Sequence, residues 1–216
     1  MIELKNSEIQ RYLGYQKIQP DKQINTLIER CKKNVIQRST PRKSVRVFPL
    51  IFQEDTLVIE TMHIQSKSLY RNLAGCDKVC LMGVTIGPAI DQLIRRAEIS
   101  HMVEVAIYQA IGAAYAEAWA DTVNQEIKKT MLGQGYYCRP RFSPGYGDFD
   151  LSLQTQFSQL LDLPHTTGIT LTDTLLMMPS KSVTALIGCS TKEEPCILAG
   201  CEVCEKTNCS FRRNTQ

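Results

Sequence analysis

Apolar positions recur along this chain with two different periods, and the switches between them mark its elements. Over 21–37, Ile24, Leu27, Ile28, Cys31 and Val35 share one face at helical spacing, and Asp21 after Pro20 supplies an N-cap. Residues 45–52 and 57–64 are rich in β-branched side chains and are joined by the turn-like Gln53-Glu54-Asp55, which predicts two strands. A short helix over 66–73 ends at Gly75, and 78–86 is the mostly apolar run expected of a strand covered on both faces. Pro88 suits the first position of a helix over 88–97.

The longest periodic stretch is 100–131, where Val103, Ala106, Ile107, Ala110, Ile111, Ala114 and Ala118 recur at helical spacing behind a Ser100 cap. Its alanines and Gly112 allow close backbone approach, so the helix is expected to pack on the sheet until Gly133 and Gly135 stop it. Further on, 151–161 reads as a short helix, Pro164-His165 as a loop, and 169–178 with 183–188 as a strand pair turned by Pro179-Ser180-Lys181. The fold class expected is α/β in the broad, α+β sense: a mixed, largely antiparallel sheet with long packed helices. Composition shifts after Cys189, which divides the chain into a domain over 1–189 and a cysteine-rich extension over 190–216.

A chain of 216 residues, 43% hydrophobic and 22% charged, fits one globular core with small appendages. A net charge of +3 with no dense Lys/Arg tract gives no ground for nucleic-acid binding. Residues 1–12 lack the apolar region of a secretory signal, and no run reaches membrane-spanning length, so the cytoplasm is the expected location. Nine cysteines in such a chain point to reduced thiols with metal or redox chemistry rather than a disulfide framework.

Four of those thiols, Cys196, Cys201, Cys204 and Cys209, follow the pattern C-x4-C-x2-C-x4-C and are expected to hold one metal centre. The first three match a plant-type ferredoxin spacing, while such short intervals also suit a zinc knuckle, so iron–sulfur cluster and zinc both stand. Cys80, in an apolar run, is read as core, and His63, His101 and His165, far apart in sequence, as structural. Gly83 to Pro88 joins a strand to a helix without a dinucleotide fingerprint or a P-loop lysine and is read as a structural turn.

Arg141-Phe142-Ser143-Pro144-Gly145-Tyr146 has a different character. Pro-Gly sets a tight turn, the arginine offers a planar fork suited to a carboxylate, and the tyrosine combines an apolar face with a polar tip. Taken alone, the six residues read first as an exposed turn carrying a surface arginine. Its neighbours add to it. Residues 139–146, the upstream Ala116-Glu117-Ala118-Trp119-Ala120-Asp121, and the downstream Leu171-Thr172-Asp173 to Ser182-Val183-Thr184 stand in one order. That order resembles the S-adenosylmethionine-binding reactivation domain of cobalamin-dependent methionine synthase over residues 43–188, here as a separate protein with a cysteine-rich tail.

The resemblance implies a methionine synthase activation domain-like fold and S-adenosylmethionine as ligand. Glu117 would meet the ligand's ammonium, Arg141 its carboxylate, and the backbone around Ser143, Gly145 and Tyr146 the remainder. It also implies a cobalamin-binding methionine synthase or other corrinoid protein as partner, acted on in trans, with an electron from a flavodoxin-like or ferredoxin-like reductase. Two positions depart from the family: Ala113 replaces an acidic residue one turn before Glu117, and Ile187 stands where the family has tyrosine. The alternative is an iron–sulfur electron-transfer protein, or a metal-stabilised interaction protein, serving a corrinoid methyltransferase.

Overall fold

The computed structural model describes residues 2–15 and 19–193. It opens with two helices, α1 (Asn6–Tyr12) and α2 (Lys22–Arg38). The Asp21 carboxylate accepts from the Ile24 backbone N–H at 2.8 Å, the expected cap, and Ile28, Cys31 and Val35 form the buried face of α2. Ile9 of α1 is fully buried. Strand β1 (Arg42–Pro49) follows, then β2 (Ile51–Gln53), β3 (Thr56–Ile59) and β4 (Met62–Ile64).

Two strands were expected over 45–52 and 57–64, and four form. The chain leaves one sheet for another between Pro49 and Ile51, after Leu50 N–H makes a last hydrogen bond to the Asp77 carbonyl in the β1–β5 register. The run 57–64 breaks between β3 and β4, where Glu60 takes a positive φ of 51°.

Helix α3 (Lys67–Leu73) is capped by the Ser66 hydroxyl, and β5 (Lys78–Thr85) runs buried along nearly all its length. Helices α4 (Ala89–Ser100) and α5 (Met102–Leu132) correct the expected boundaries. Pro88 is the N-cap of α4 rather than its first residue, and Ser100 closes α4 instead of capping the next helix. The break is at His101, whose φ of −142° and ψ of 65° turn the chain out of helical geometry. The long helix α5 has 31 residues, about 46 Å of backbone.

After β6 (Tyr137–Cys138) come a 3-10 turn (Leu151–Leu153), α6 (Gln154–Leu161), α7 (Leu163–Thr166), β7 (Thr170–Leu171), β8 (Met177–Met178) and β9 (Ser182–Ser190). The expected loop at Pro164-His165 is thus a turn of helix with proline near its start. The expected pairing of 169–178 with 183–188 does not occur. Strands β7 and β8 pair only with each other, and β9 lies between β5 and β6 in the main sheet, whose order is β1-β5-β9-β6 and whose pairings are all antiparallel.

Side-chain alternation in β5 decides the layers. Val79 and Leu81 face a cluster built with Leu69, Phe149, Phe157 and Leu163, whereas Cys80, Met82 and Val84 face Val123, Ile127 and Met131 of α5. A third cluster joins α1, α2 and α4 to the other half of α5. Each fully buried aliphatic side chain in these layers contributes about 1.5–3 kcal/mol. Trp119 ties α5 to the start of β1 by donating its ring N–H to the Arg42 carbonyl at 3.0 Å. Gly83 gives α7 its seat: a Cβ there would lie 2.4 Å from Leu163 Cδ2. Among the described residues no helix is long and apolar enough to cross a membrane.

Candidate functional site

Strand β9 and helix α5 converge on Arg141. Strand β9 anchors the turn that follows it, because Phe142 and Leu186 exchange both backbone hydrogen bonds at 2.8 Å. Pro144 is buried, and Gly145 turns the chain at a φ of 89°, a left-handed geometry that favours glycine. The turn then closes on itself through Gly145 N–H to the Phe149 carbonyl at 2.7 Å and Tyr146 N–H to the Ser143 carbonyl at 3.2 Å. Phe149 roots it in the core beside Phe142 and Phe157. Rooting the turn through Phe149 leaves Tyr146 outside: it is 70% exposed, with its ring in solvent.

Helix α5 supplies the other wall. Ala113, Glu117 and Asp121 follow at four-residue intervals along one stripe of the helix. Arg141 Nη2 donates to Glu117 Oε2 at 2.5 Å and Nη1 to Asp121 Oδ1 at 2.8 Å, so the guanidinium fork is shared between two carboxylates. The arginine side chain is largely covered, while Glu117 and Asp121 are progressively more open. One cation between two anions leaves a local charge of −1 in this part-buried groove between α5 and the turn.

Helix α3 holds the far end of the turn. The Asp148 carboxylate accepts from the Ser66 hydroxyl at 2.7 Å, from the Lys67 backbone N–H at 2.6 Å and from the Ser68 backbone N–H at 3.2 Å. The Ser66 hydroxyl and these amides hold its carboxyl well below the usual carboxylate range. This clamp fixes the far end of the turn to the start of α3.

Of the residues singled out in the sequence, Arg141 and Glu117 are in direct contact, and Ser143, Gly145 and Tyr146 lie in the turn that follows Arg141. Asp121 and Asp148 were not singled out. Asp121 carried a legible signal, one helical turn beyond Glu117 on the same face. Asp148 carried none, since its partners lie about eighty positions earlier in the chain. Of the departures, Ala113 removes a third carboxylate from the stripe, and Ile187 is fully buried between β9 and α5, where it offers no polar group.

Cys196, Cys201, Cys204 and Cys209 lie outside the described residues. Among the described residues no group of three or more cysteine, histidine or acidic side chains is arranged to hold a metal ion. A cleft of about 520 Å³ at the Thr85–Ser182 end of the sheet is lined by Thr40, Arg42, Gly87, Asp91 and Arg95 and shares no residue with the Arg141 groove. Its acidic residue is engaged, because Asp91 accepts from the backbone N–H and hydroxyl of Ser180, in keeping with a structural turn there.

The protein family described as the vitamin B12 dependent methionine synthase activation domain matches residues 70–195. Among solved structures, the crystal structure of the MetH reactivation domain bound to AdoHcy is similar, with a TM-score of 0.60 at 18% sequence identity. The match covers 83% of this chain and 70% of that one. Comparison with curated protein sequences gives no match.

Proposed function

We infer, for a chain that belongs to the family of vitamin B12-dependent methionine synthase activation domains, that the Arg141 groove binds S-adenosylmethionine and supports remethylation of oxidised cobalamin held by a partner protein. The observation that carries this reading is the shared fork of Arg141, held by Glu117 at 2.5 Å and Asp121 at 2.8 Å. The ligand brings an ammonium, a carboxylate and a sulfonium, a net +1 that complements the groove's −1. Its carboxylate takes one arm of the Arg141 fork, and the acidic side chain so released meets the ammonium. The net charge of the filled site is then zero, which limits the desolvation cost of ligand entry.

The bound ligand supplies a transferable methyl group; the protein's own residues bind and orient it. The turn at Gly145 lets the backbone approach closely, and the exposed Tyr146 offers an apolar face beside the groove. The similar solved domain carries AdoHcy, the same skeleton without the sulfonium charge, which supports a ligand of this class. Cobalamin belongs to the partner in this reading, a methionine synthase or other corrinoid protein, and the electron comes from a separate reductase.

The test is to mix the full chain with a cobalamin-dependent methionine synthase lacking its own reactivation domain and inactivated as cob(II)alamin. With S-adenosylmethionine and a reductant, the cobalamin absorption shifts to the methylated form and synthase activity returns. Calorimetric binding of S-adenosylmethionine without any spectral change would retain the ligand and discard the remethylation role; absence of binding would discard both.

A further inference from the structure

The edge of the main sheet holds chemistry that the Arg141 groove does not use. Cys138 of β6 and Cys189 of β9 are directly opposed in the antiparallel register, with their sulfurs 3.8 Å apart. The next pair along, Arg139 and Gly188, is joined by Arg139 N–H to the Gly188 carbonyl at 2.8 Å. Pairs alternate in such a ladder, so Cys138 and Cys189 form a non-hydrogen-bonded pair, whose Cα atoms lie about 4.5 Å apart. That spacing falls inside the range a disulfide bridges, about 4.4–6.8 Å. A third thiol, Cys80 of β5, has its sulfur 3.6 Å from that of Cys189.

We propose that Cys138 and Cys189 are a site of reversible disulfide formation, with a low-molecular-weight disulfide of the glutathione type as oxidant. The inference stands on the sheet edge and does not depend on the ligand of the Arg141 groove. Cys80 is the competing partner, and the register argues against it. Cys80 opposes Ile187 and is therefore diagonal to Cys189, and diagonal positions sit about 7–8 Å apart, too far to bridge without moving the backbone. Cys76 is on the opposite side of the sheet, against Leu73 and the face of Gly188.

Access sets the order of events. Cys138 is half-buried on a two-residue edge strand, whereas Cys189 and Cys80 are fully buried. The Cys138 thiol loses its proton and attacks the reagent disulfide; the reagent's S–S bond breaks and one reagent thiol leaves with a proton. Cys189, deprotonated in turn, attacks the mixed disulfide at Cys138 and displaces the second reagent thiol. Two protein thiols are oxidised, one reagent disulfide is reduced to two thiols, and electrons balance. Contact with Cys189 and burial push the Cys138 thiol up. For Cys189, contact with Cys138 lowers the value, but contact with Cys80 and burial together carry it up to about 12. The exchange is accordingly slow at neutral pH and quickens about tenfold per pH unit.

The bond has a structural reach beyond its own edge. Three residues beyond Cys138 the chain reaches Arg141, and Phe142 rejoins β9 at Leu186. A Cys138–Cys189 link closes a covalent ring around the segment that carries the groove's arginine.

The experiment incubates the reduced full chain with oxidised glutathione at mildly alkaline pH. An acid quench, alkylation, proteolysis and mass spectrometry follow. The expected product is a peptide pair joining Cys138 to Cys189, reversed by dithiothreitol, retained in Cys80→Ala and missing from Cys138→Ser. Oxidation should also raise the thermal midpoint of the wild type and leave that of Cys138→Ser unchanged. A Cys80–Cys189 link, a stable glutathione adduct at Cys138 with Cys189 free, or thiols that react only after a chelator is added would each overturn the proposal.

Discussion

Arg141 Nη2 donates to Glu117 Oε2 at 2.5 Å, joining the turn after β6 to the middle of α5 across 24 positions of sequence. Neither partner is fully exposed, and the arginine is the more covered of the two. Arg141→Ala is therefore expected to lower S-adenosylmethionine affinity by about 2–5 kcal/mol, the cost of leaving a partly buried partner charge unpaired. Isothermal titration of the two proteins measures it, and equal affinities would remove Arg141 from the site.

Asp121 sets the charge of the groove rather than its shape. With Asp121→Asn the local charge rises from −1 to zero, which weakens attraction for the sulfonium without removing the arginine fork. The preference for S-adenosylmethionine over S-adenosylhomocysteine is expected to fall by about 0.2–1 kcal/mol, the range of an exposed pair. Paired titrations with both ligands read the ratio directly, and an unchanged preference would show that Asp121 plays no part in it.

Asp148 is expected to matter through the turn it holds. Asp148→Ala leaves the first amides of α3 without their acceptor and should destabilise the fold by about 1 kcal/mol at neutral pH. The Ser66 hydroxyl and the α3 amides depress the carboxyl's native value, so its contribution is whole at neutral pH, where both states are ionised. As the pH falls below about 4, the unfolded chain takes up the proton first and the contribution declines. It is lost once the pH passes below the depressed native value. Thermal midpoints of wild type and variant should therefore converge in acid; a constant gap down the whole acid limb would contradict the assignment.

The cysteine-rich extension is expected to hold one metal through Cys196, Cys201, Cys204 and Cys209. Single Cys→Ser changes should lower the bound metal measured by inductively coupled plasma mass spectrometry and make residues 190–216 more sensitive to protease. The thermal transition of the domain over 1–189 should stay in place. Metal content unchanged in all four variants would exclude the site.

Elements governed by neighbours in sequence were legible without coordinates. The apolar stripe of α2 and its Asp21 cap, the short helix α3 and the apolar run of β5 all depend on spacing and on side chains within a few positions. Glu117, Arg141, Ser143, Gly145 and Tyr146 could be marked for a related reason, since each lies inside a short segment whose order along the chain carries the resemblance. What the chain could not reveal locally was decided by partners far away in sequence. Strand β9 pairs with β5 and β6 rather than with β8, and its alternating side chains extend both layers, Leu186 beside Val79 and Leu81 on one face, Ala185 and Ile187 beside Met82 and Val84 on the other. The boundary between the two expected helices falls at His101, past Ser100, where α4 and α5 pack against each other as separate elements. Asp148 becomes a clamp, Asp121 a competitor for Arg141, and Cys138 a partner for Cys189 only once the sheet and α5 fix distances between segments that periodicity treats independently. Local pattern reports what a residue's neighbours require of it; which distant groups come within hydrogen-bonding or bonding reach is set by the packing of whole layers.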